Sequence, residues 1–229
     1  QLRSVAHLVC SPARVKRITS RQNVLVTRIR NARRERRATR KHLVLDGLRV
    51  ITDAQQSGIA IDTVLVSATA FTSDPSIKRF CAKFDSTKSN FVTCSDRIMA
   101  AVSPLRSPSR VVALGSHKPM SSENIIFSEP NDFIVMPLAV QDPGNLGAII
   151  RSAVAAGSAG VIVDHSSADP YSWKALRGSM GATFRLPVAD TIDTLGTLRQ
   201  ARQLGWAIVA TSPRNGTSIY DTSLNRRVI

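Results

Sequence analysis

The stretch QDPGNLGAIIRSA, residues 141–153, holds the side chains best able to do chemistry. Pro143–Gly144 turns the chain after an apolar run that ends at Val140, and Asn145 is placed to cap a helix. Leu146, Ile149, Ile150, Ala153 and Val154 recur at helical spacing and give that helix a face to bury. Gly147, Arg151 and Ala155 lie four apart on another face, so one long cation stands between two tiny residues. Such a face lets a second backbone, from this chain or another subunit, come close while Arg151 projects into the gap. A helix that starts at the carboxyl edge of a parallel strand also offers free N–H groups to an anionic or strongly polar ligand. The bland alternative is a strand, a turn and a helix with a surface arginine. The spacing is G-x-x-G and not G-x-G-x-x-G, so no dinucleotide fingerprint is present.

That helix needs a sheet behind it, and the second half of the chain supplies one. FIVMPLAV (133–140) is a continuous apolar run, as expected of a parallel strand buried on both faces. GVIVD (160–164), TFRLPV (183–188) and WAIVAT (206–211) read as further strands, with helices over 172–180 and 194–204 between them. Repeated β-α units with short connections imply a parallel sheet covered on both faces. The first half reads as a helix starting near Ser20, a strand at 42–45, a helix at 47–57 and a strand at 61–67. A helix at 77–84, a strand at 90–93, a helix at 95–101 capped by Ser95 and a strand at 111–114 complete a small α/β unit. Residues 116–131, rich in Ser and Pro and without a period, read as a linker. The organisation expected is a basic arm (1–17), a small domain (18–115), the linker, and a second domain (132–229).

Composition narrows the chemistry. The chain has 229 residues, 43% of them hydrophobic, and no run of apolar residues long enough to span a bilayer. Cys10, Cys81 and Cys94 are far apart without C-x-x-C spacing, which excludes a disulfide scaffold or zinc ribbon. His7, His42, His117 and His165 show no metal-ligand spacing, and Gly178-Ser179-Met180-Gly181 is not a hydrolase elbow. Net charge is +15, and the excess is concentrated. Residues 1–41 carry thirteen Lys and Arg against one acid, Glu35, whereas the remainder is nearly balanced. The helix from Ser20 turns almost wholly polar after Ile29, and Arg33, Arg34, Arg36, Arg37 and Arg40 cluster there. Arg forks match phosphate oxygens, so a polyanionic partner is expected. Residues 1–20 contain serine and lack acids, a composition shared with organellar transit segments, so a mitochondrion or other organelle stands beside the cytoplasm as the compartment.

PLAVQDPGNLGAIIRSAVAAG closely resembles motif 1 of the SpoU (TrmH-type) RNA ribose 2′-O-methyltransferases, of the α/β-knot superfamily. GVIVD and WKALRGSMGATFRLPV resemble the segments that follow it in that family. The opening ITSRQNVLVTRIRNARRERRATRKHLVLDGLRVITDA is similar to the start of its small RNA-substrate-binding domain, and SDRIMAAVSPLRSPSRVVAL to that domain's end. The resemblance implies an α/β fold in which a small RNA-binding domain precedes a parallel-sheet α/β-knot domain. It also implies S-adenosylmethionine as cofactor, RNA (ribosomal or transfer) as substrate, a homodimer, and no metal or membrane. By resemblance Arg151 and Asn145 are the catalytic residues, Thr211 lies on the cofactor rim, and Arg21, Asn23, Arg28, Arg33, Arg34, Arg36, Arg37 and Arg40 meet RNA.

Two later motifs of the family, a "GNEGxG" turn and an "SLNVS" segment, have no match here. Ser223-Leu224-Asn225 imitates the second but follows WAIVATSPRNGTSIYD directly, without a hydrophobic helix after it, and RRVI (226–229) reads as the start of a strand. The chain is therefore expected to be a C-terminally incomplete methyltransferase lacking the knot segment. The alternative is a non-catalytic RNA-binding protein.

Overall fold

In the computed structural model, residues 15–83, 90–103, 105–116, 118–127, 133–212, 214 and 216–229 are described. The chain divides into two compact units, one ending at His117 and the other beginning at Lys118.

In the first unit five strands form the sheet: β1 (Lys16–Ile18), β2 (His42–Asp46), β3 (Ile61–Ser67), β4 (Asn90–Cys94) and β5 (Val111–Ser116). They pair in the order β1-β4-β3-β5-β2; β4 is parallel to β1 and β3, and β5 is antiparallel to β3 and β2. Helices α1 (Val24–Ala32), α2 (Leu48–Gln56), α3 (Ala68–Ser73), α4 (Pro75–Lys83) and α5 (Asp96–Val102) connect them. Val26, Ile29 and Ala32 of α1 and Ile98, Met99 and Val102 of α5 pack on Val44, Leu65, Val92 and Leu114 of the sheet. Strand β1 and helix α3 are too short to carry a period that would announce them in the sequence. Ser95 stands at the N-cap of α5, but its side chain makes no capping bond.

The expected polar extension of the first helix does not form. Asn23 caps α1 by accepting a hydrogen bond from the Leu25 amide (2.9 Å), and the helix stops at Ala32. Apolar burial ends there too. The arginine run beyond it becomes a loop with a single 3-10 turn at Arg37–Thr39.

The second unit is built on three parallel strands, β6 (Ile134–Val135), β7 (Gly160–Asp164) and β8 (Val188–Thr191), in that order. Around them lie α6 (Ser122–Ile126), α7 (Pro143–Ala155), α8 (Trp173–Gly178) and α9 (Thr194–Gln203). β7 explains its own unbroken apolar run. Val161 and Val163 face Leu146, Ile150 and Ala153 of α7, while Ile162 faces Ile125 and Ile126 of α6 and Ala201 of α9. Helix α6 lies within the stretch read as linker, its two isoleucines fully buried.

Three strand expectations are corrected. FIVMPLAV contributes only Ile134–Val135 to the ladder, because Pro137 lacks a donor and Ala139 takes a positive φ of 54°. TFRLPV opens with a 3-10 turn at Ala182–Phe184, set by Gly181 at φ 79°, so β8 starts only at Val188. WAIVAT pairs over 207–209 alone. The Ala207 amide donates to Arg227 O, Ile229 to Ala207 O and Val209 to Ile229 O, at 2.8–2.9 Å. Val228 bridges in parallel to Ala207 on one side and Phe133 on the other, so RRVI does enter the sheet.

Candidate functional site in the second unit and basic face of the first

Parallel pairing sets the carboxyl ends of β6, β7, β8 and the 207–209 segment on one edge of the sheet. The loop from Pro137 to Asp142 crosses that edge and is held by the next loop along. Asp164, at the end of β7 and 7% exposed, accepts from the Ala139 amide (3.0 Å), from the Ser166 amide (3.1 Å) and from the Ser166 and Ser167 hydroxyls. Ser167 Oγ in turn accepts from the Val140 amide at 2.9 Å, and the Ala168 amide donates to Val140 O. Burial alone would raise the Asp164 carboxyl, but these hydrogen bonds outweigh it and hold the group at about 2. The carboxylate therefore fixes the left-handed turn at Ala139 from which α7 departs. No pattern of residue types along the chain points to this role for Asp164.

Helix α7 begins three residues before its expected start. Asp142, not Asn145, is the N-cap, accepting from the Asn145 amide at 2.8 Å, and Pro143 occupies the first helical position. Proline's fixed φ and missing donor suit that position, and the Asp-Pro pair is the signal that locates it. Asn145 is left in the first turn with its side chain exposed.

Gly147 brings α7 against α8 backbone to backbone. A Cβ at Gly147 would lie 2.5 Å from Ala175 O and 2.7 Å from Ser179 N; one at Gly178 would lie 2.9 Å from Gly144 O. The close approach expected of the small-residue face is thus made by α8. Arg151, the ninth residue of α7, is exposed, and its Nη1 donates to Met180 Sδ at 3.0 Å. Met180 itself has φ 51° and is followed by Gly181 at φ 79°, so a left-handed turn after α8 presents the thioether to the guanidinium. Ser179 anchors that turn, fully buried, donating to Leu176 O and accepting from Thr183. Arg151 and Asn145 are six residues apart on α7, about 120° around the axis and about 9 Å along it, so they do not share a face. Met180, Ser179 and Asp142 complete the surroundings that sequence reasoning missed.

Thr211 is exposed just beyond the 207–209 pairing, following the exposed Ile208, Val209 and Ala210. An adenosyl group set against this segment would meet apolar side chains and the Thr211 hydroxyl. A cavity of about 610 Å³ lies elsewhere, between α6, the end of β8 and α9, and none of Asn145, Arg151 or Thr211 lines it. Burial and the neighbouring Asp96 push the Cys94 thiol up to about 12, so it stays un-ionised at neutral pH. Among the described residues no cluster of His, Cys, Asp and Glu could hold a metal ion, and no helix is long and apolar enough to cross a membrane.

The arginines of the first unit fall into two groups. Arg21, Arg30, Arg34 and Arg36 are exposed, whereas Arg28, Arg33, Arg37 and Arg40 are half-buried. Arg28 meets His42 (3.2 Å) and Asp62 (3.4 Å), Arg33 donates to Val102 O (3.3 Å), and Arg40 donates to Glu35 O (3.2 Å). Burial keeps the Arg33 guanidinium below its ordinary value. Arg21 donates to Arg97 O at 3.3 Å, and the Asn23 side chain is spent on capping α1.

Comparison with known proteins agrees with this architecture. Residues 132–229 match the SpoU rRNA Methylase family, and residues 26–113 match the MRM3-like substrate binding domain. Residues 132–229 form a domain of the SpoU rRNA methylase family. The chain is 28% identical over 183 residues to rRNA methyltransferase 3, mitochondrial, of Xenopus tropicalis, covering 78% of this chain and 39% of that protein. Over 94 residues, 41% of this chain and 36% of the relative, it is 35% identical to the 23S rRNA (guanosine(2553)-2′-O)-methyltransferase RlmP of Bacillus subtilis. The AdoMet-bound rRNA methyltransferase of Sinorhizobium meliloti superposes with a TM-score of 0.74 at 25% identity, covering 93% of this chain and 79% of that one. The chain spans about two fifths of the length of the curated relatives it first matches.

Proposed function

We propose that this chain serves S-adenosylmethionine-dependent methylation of the ribose 2′-hydroxyl in RNA, with ribosomal RNA as the substrate. Residues 18–115 bind the RNA, residues 132–229 carry the transfer site, and the working form is a homodimer. The observation that carries the reading is the exposed Arg151 on α7, held toward the Met180 turn in a domain of this family. The names of the relatives above support the substrate and the reaction. Three mitochondrial relatives and the acid-free residues 1–20 support the mitochondrion as compartment.

When bound, the cofactor supplies a methyl group on a sulfonium, already an electrophile. Thr211, with Ile208 and Val209, holds the adenosyl part. The chain's remaining task is to place a ribose hydroxyl in line and ease the loss of its proton. Arg151 cannot be the base, since a guanidinium stays protonated at any working pH. It grips the phosphate of the target nucleotide with its fork and polarises the 2′-hydroxyl, and the proton leaves to water under that field. Asn145 steadies the 142–145 turn from which α7 starts. Arg21, Arg33, Arg34, Arg36, Arg37 and Arg40 meet the RNA backbone, with Arg28 and Asn23 shaping the surface beneath them.

The test is methyl transfer from radiolabelled S-adenosylmethionine to ribosomal RNA, followed by alkaline hydrolysis. A methylated 2′-oxygen blocks cleavage at its own linkage, so label in alkali-resistant dinucleotides is the expected result. Label released as mononucleotides would move the reaction to a base. RNA binding without any transfer would favour the non-catalytic reading.

A further inference from the structure

Glu35 is the one acid among the first 41 residues, set in the middle of the arginine run. A lone acid there would ordinarily read as slight dilution of a basic surface. Its surroundings say otherwise. Oε2 accepts from the backbone amides of Lys41 (2.8 Å) and His42 (3.0 Å), and Oε1 accepts from His42 Nδ1 (2.6 Å). The main-chain oxygen of Glu35 accepts from Arg40 Nη2 at 3.2 Å. Four bonds thus close the ends of a loop whose six inner residues include Arg36, Arg37, Arg40 and Lys41. Inside it the Thr39 amide donates to Arg36 O and the Arg40 amide to Arg37 O.

The closure is anchored on its far side as well. With Nδ1 donating to Glu35, His42 Nε2 accepts from Arg28 Nη2 (3.2 Å), and Arg28 reaches Asp62 on β3 (3.4 Å). Burial would raise the Glu35 carboxyl, but the His42 ring and the two amides hold it below the usual carboxylate range, so it is ionised at neutral pH. Holding four cations in one short loop costs chain entropy and charge repulsion, and a single well-bonded carboxylate offsets both.

We infer that Glu35 is a positioning residue for RNA: a carboxylate staple that keeps Arg36, Arg37, Arg40 and Lys41 in a preformed loop for the phosphate backbone. The inference rests on the RNA-binding reading above. Its sign opposes simple electrostatics, because removing the acid makes the surface more positive yet weakens binding by loosening a preorganised loop.

The experiment compares wild type, Glu35→Gln and Asp53→Asn for binding to a labelled single-stranded RNA oligonucleotide across a salt series. Asp53 pairs with Arg49 on α2 (3.3 Å), so its variant removes the same charge without touching the loop. Glu35→Gln is expected to bind about tenfold or more weakly, a loss the size of one charged hydrogen bond. The slope of log affinity against log salt becomes shallower by about 0.7 for each phosphate that the loosened loop no longer neutralises. The Lys41 and His42 amides exchange faster, and Asp53→Asn binds as well as wild type or better. Should Glu35→Gln fail to fold, His42→Ala keeps both amide bonds and is expected to lose part of the affinity and slope. Wild-type binding with Glu35→Gln equal or tighter, or a lowered melting temperature with affinity and slope unchanged, overturns the staple alone. A wild type that binds no RNA overturns the RNA-binding reading, and the staple with it.

Discussion

Gly147 and Ala175 touch backbone to backbone: a methyl group on Gly147 would sit 2.5 Å from the Ala175 carbonyl oxygen. Neither atom can retreat, because Ser179 and Gly178 crowd the same spot and α8 is locked through the buried Ser179 hydroxyl. Gly147→Ala should therefore destabilise the second unit by about 2 kcal/mol or more, the cost of overpacking a rigid interface. Ala155→Ser, at an exposed position further along α7, should stay within about 0.5 kcal/mol. Thermal denaturation of both variants checks the contrast; equal melting temperatures would mean the helices separate easily.

Arg151 is exposed, so its replacement leaves the fold intact and reports on function alone. Arg151→Ala and Arg151→Lys should both melt like wild type and both lose methyl transfer, by about a hundredfold for the alanine. Lysine keeps the charge but not the fork. Full activity in Arg151→Lys would remove the role given to fork geometry.

Asp164 gives the second unit an acid dependence whose sign is fixed. Its carboxyl ionises at about 2 in the folded chain against an ordinary 3.8, so its stabilisation is complete above the unfolded value. It fades as pH falls from about 4 toward 2, and amounts to about 2 kcal/mol. Unfolding curves of wild type and Asp164→Asn should converge over that interval and differ most at neutral pH. A constant gap down to pH 2 would show that the bonds from Ala139, Ser166 and Ser167 do not hold the proton off.

Arg34 and Arg36 differ from Asn23 in what their loss should do. Arg34→Gln with Arg36→Gln should leave stability unchanged and reduce the salt slope of RNA binding by about 0.7 for each residue. Asn23→Ala should cost about 1 kcal/mol of stability through removal of the cap, with the slope unchanged. Titrating RNA at several salt concentrations, alongside melting curves, separates the two effects.

Much of the architecture was legible because local patterns carry it. The run Val161-Ile162-Val163 could only be a strand covered on both faces, and Leu146, Ile150 and Ala153 could only be the buried stripe of α7. The density of arginine between residues 28 and 40 marked the basic face without any structure. Where a proline or a left-handed residue intervened, as at Pro137 with Ala139 or at Gly181 with Pro187, apolar composition overstated the strand. Side-chain polarity alone carries no record of where backbone donors are absent.

The sequence by itself determined the two α/β units, the helix that carries Arg151 and the concentration of basic charge, since each follows from period and composition. Only the tertiary structure decided what the polar side chains are for. It made Asp142 the cap of α7 and Asp164 the tie of the Ala139 turn, and it set Met180 beside Arg151 and Glu35 at the neck of the arginine loop. Each of these depends on partners brought together by folding: Glu35 is separated from His42 by a loop, Ala139 from Asp164 by a helix, and Arg151 from Met180 by a strand and a helix. Hydrogen bonds need direction and distance, and spacing along the chain supplies neither once the partners lie on different elements.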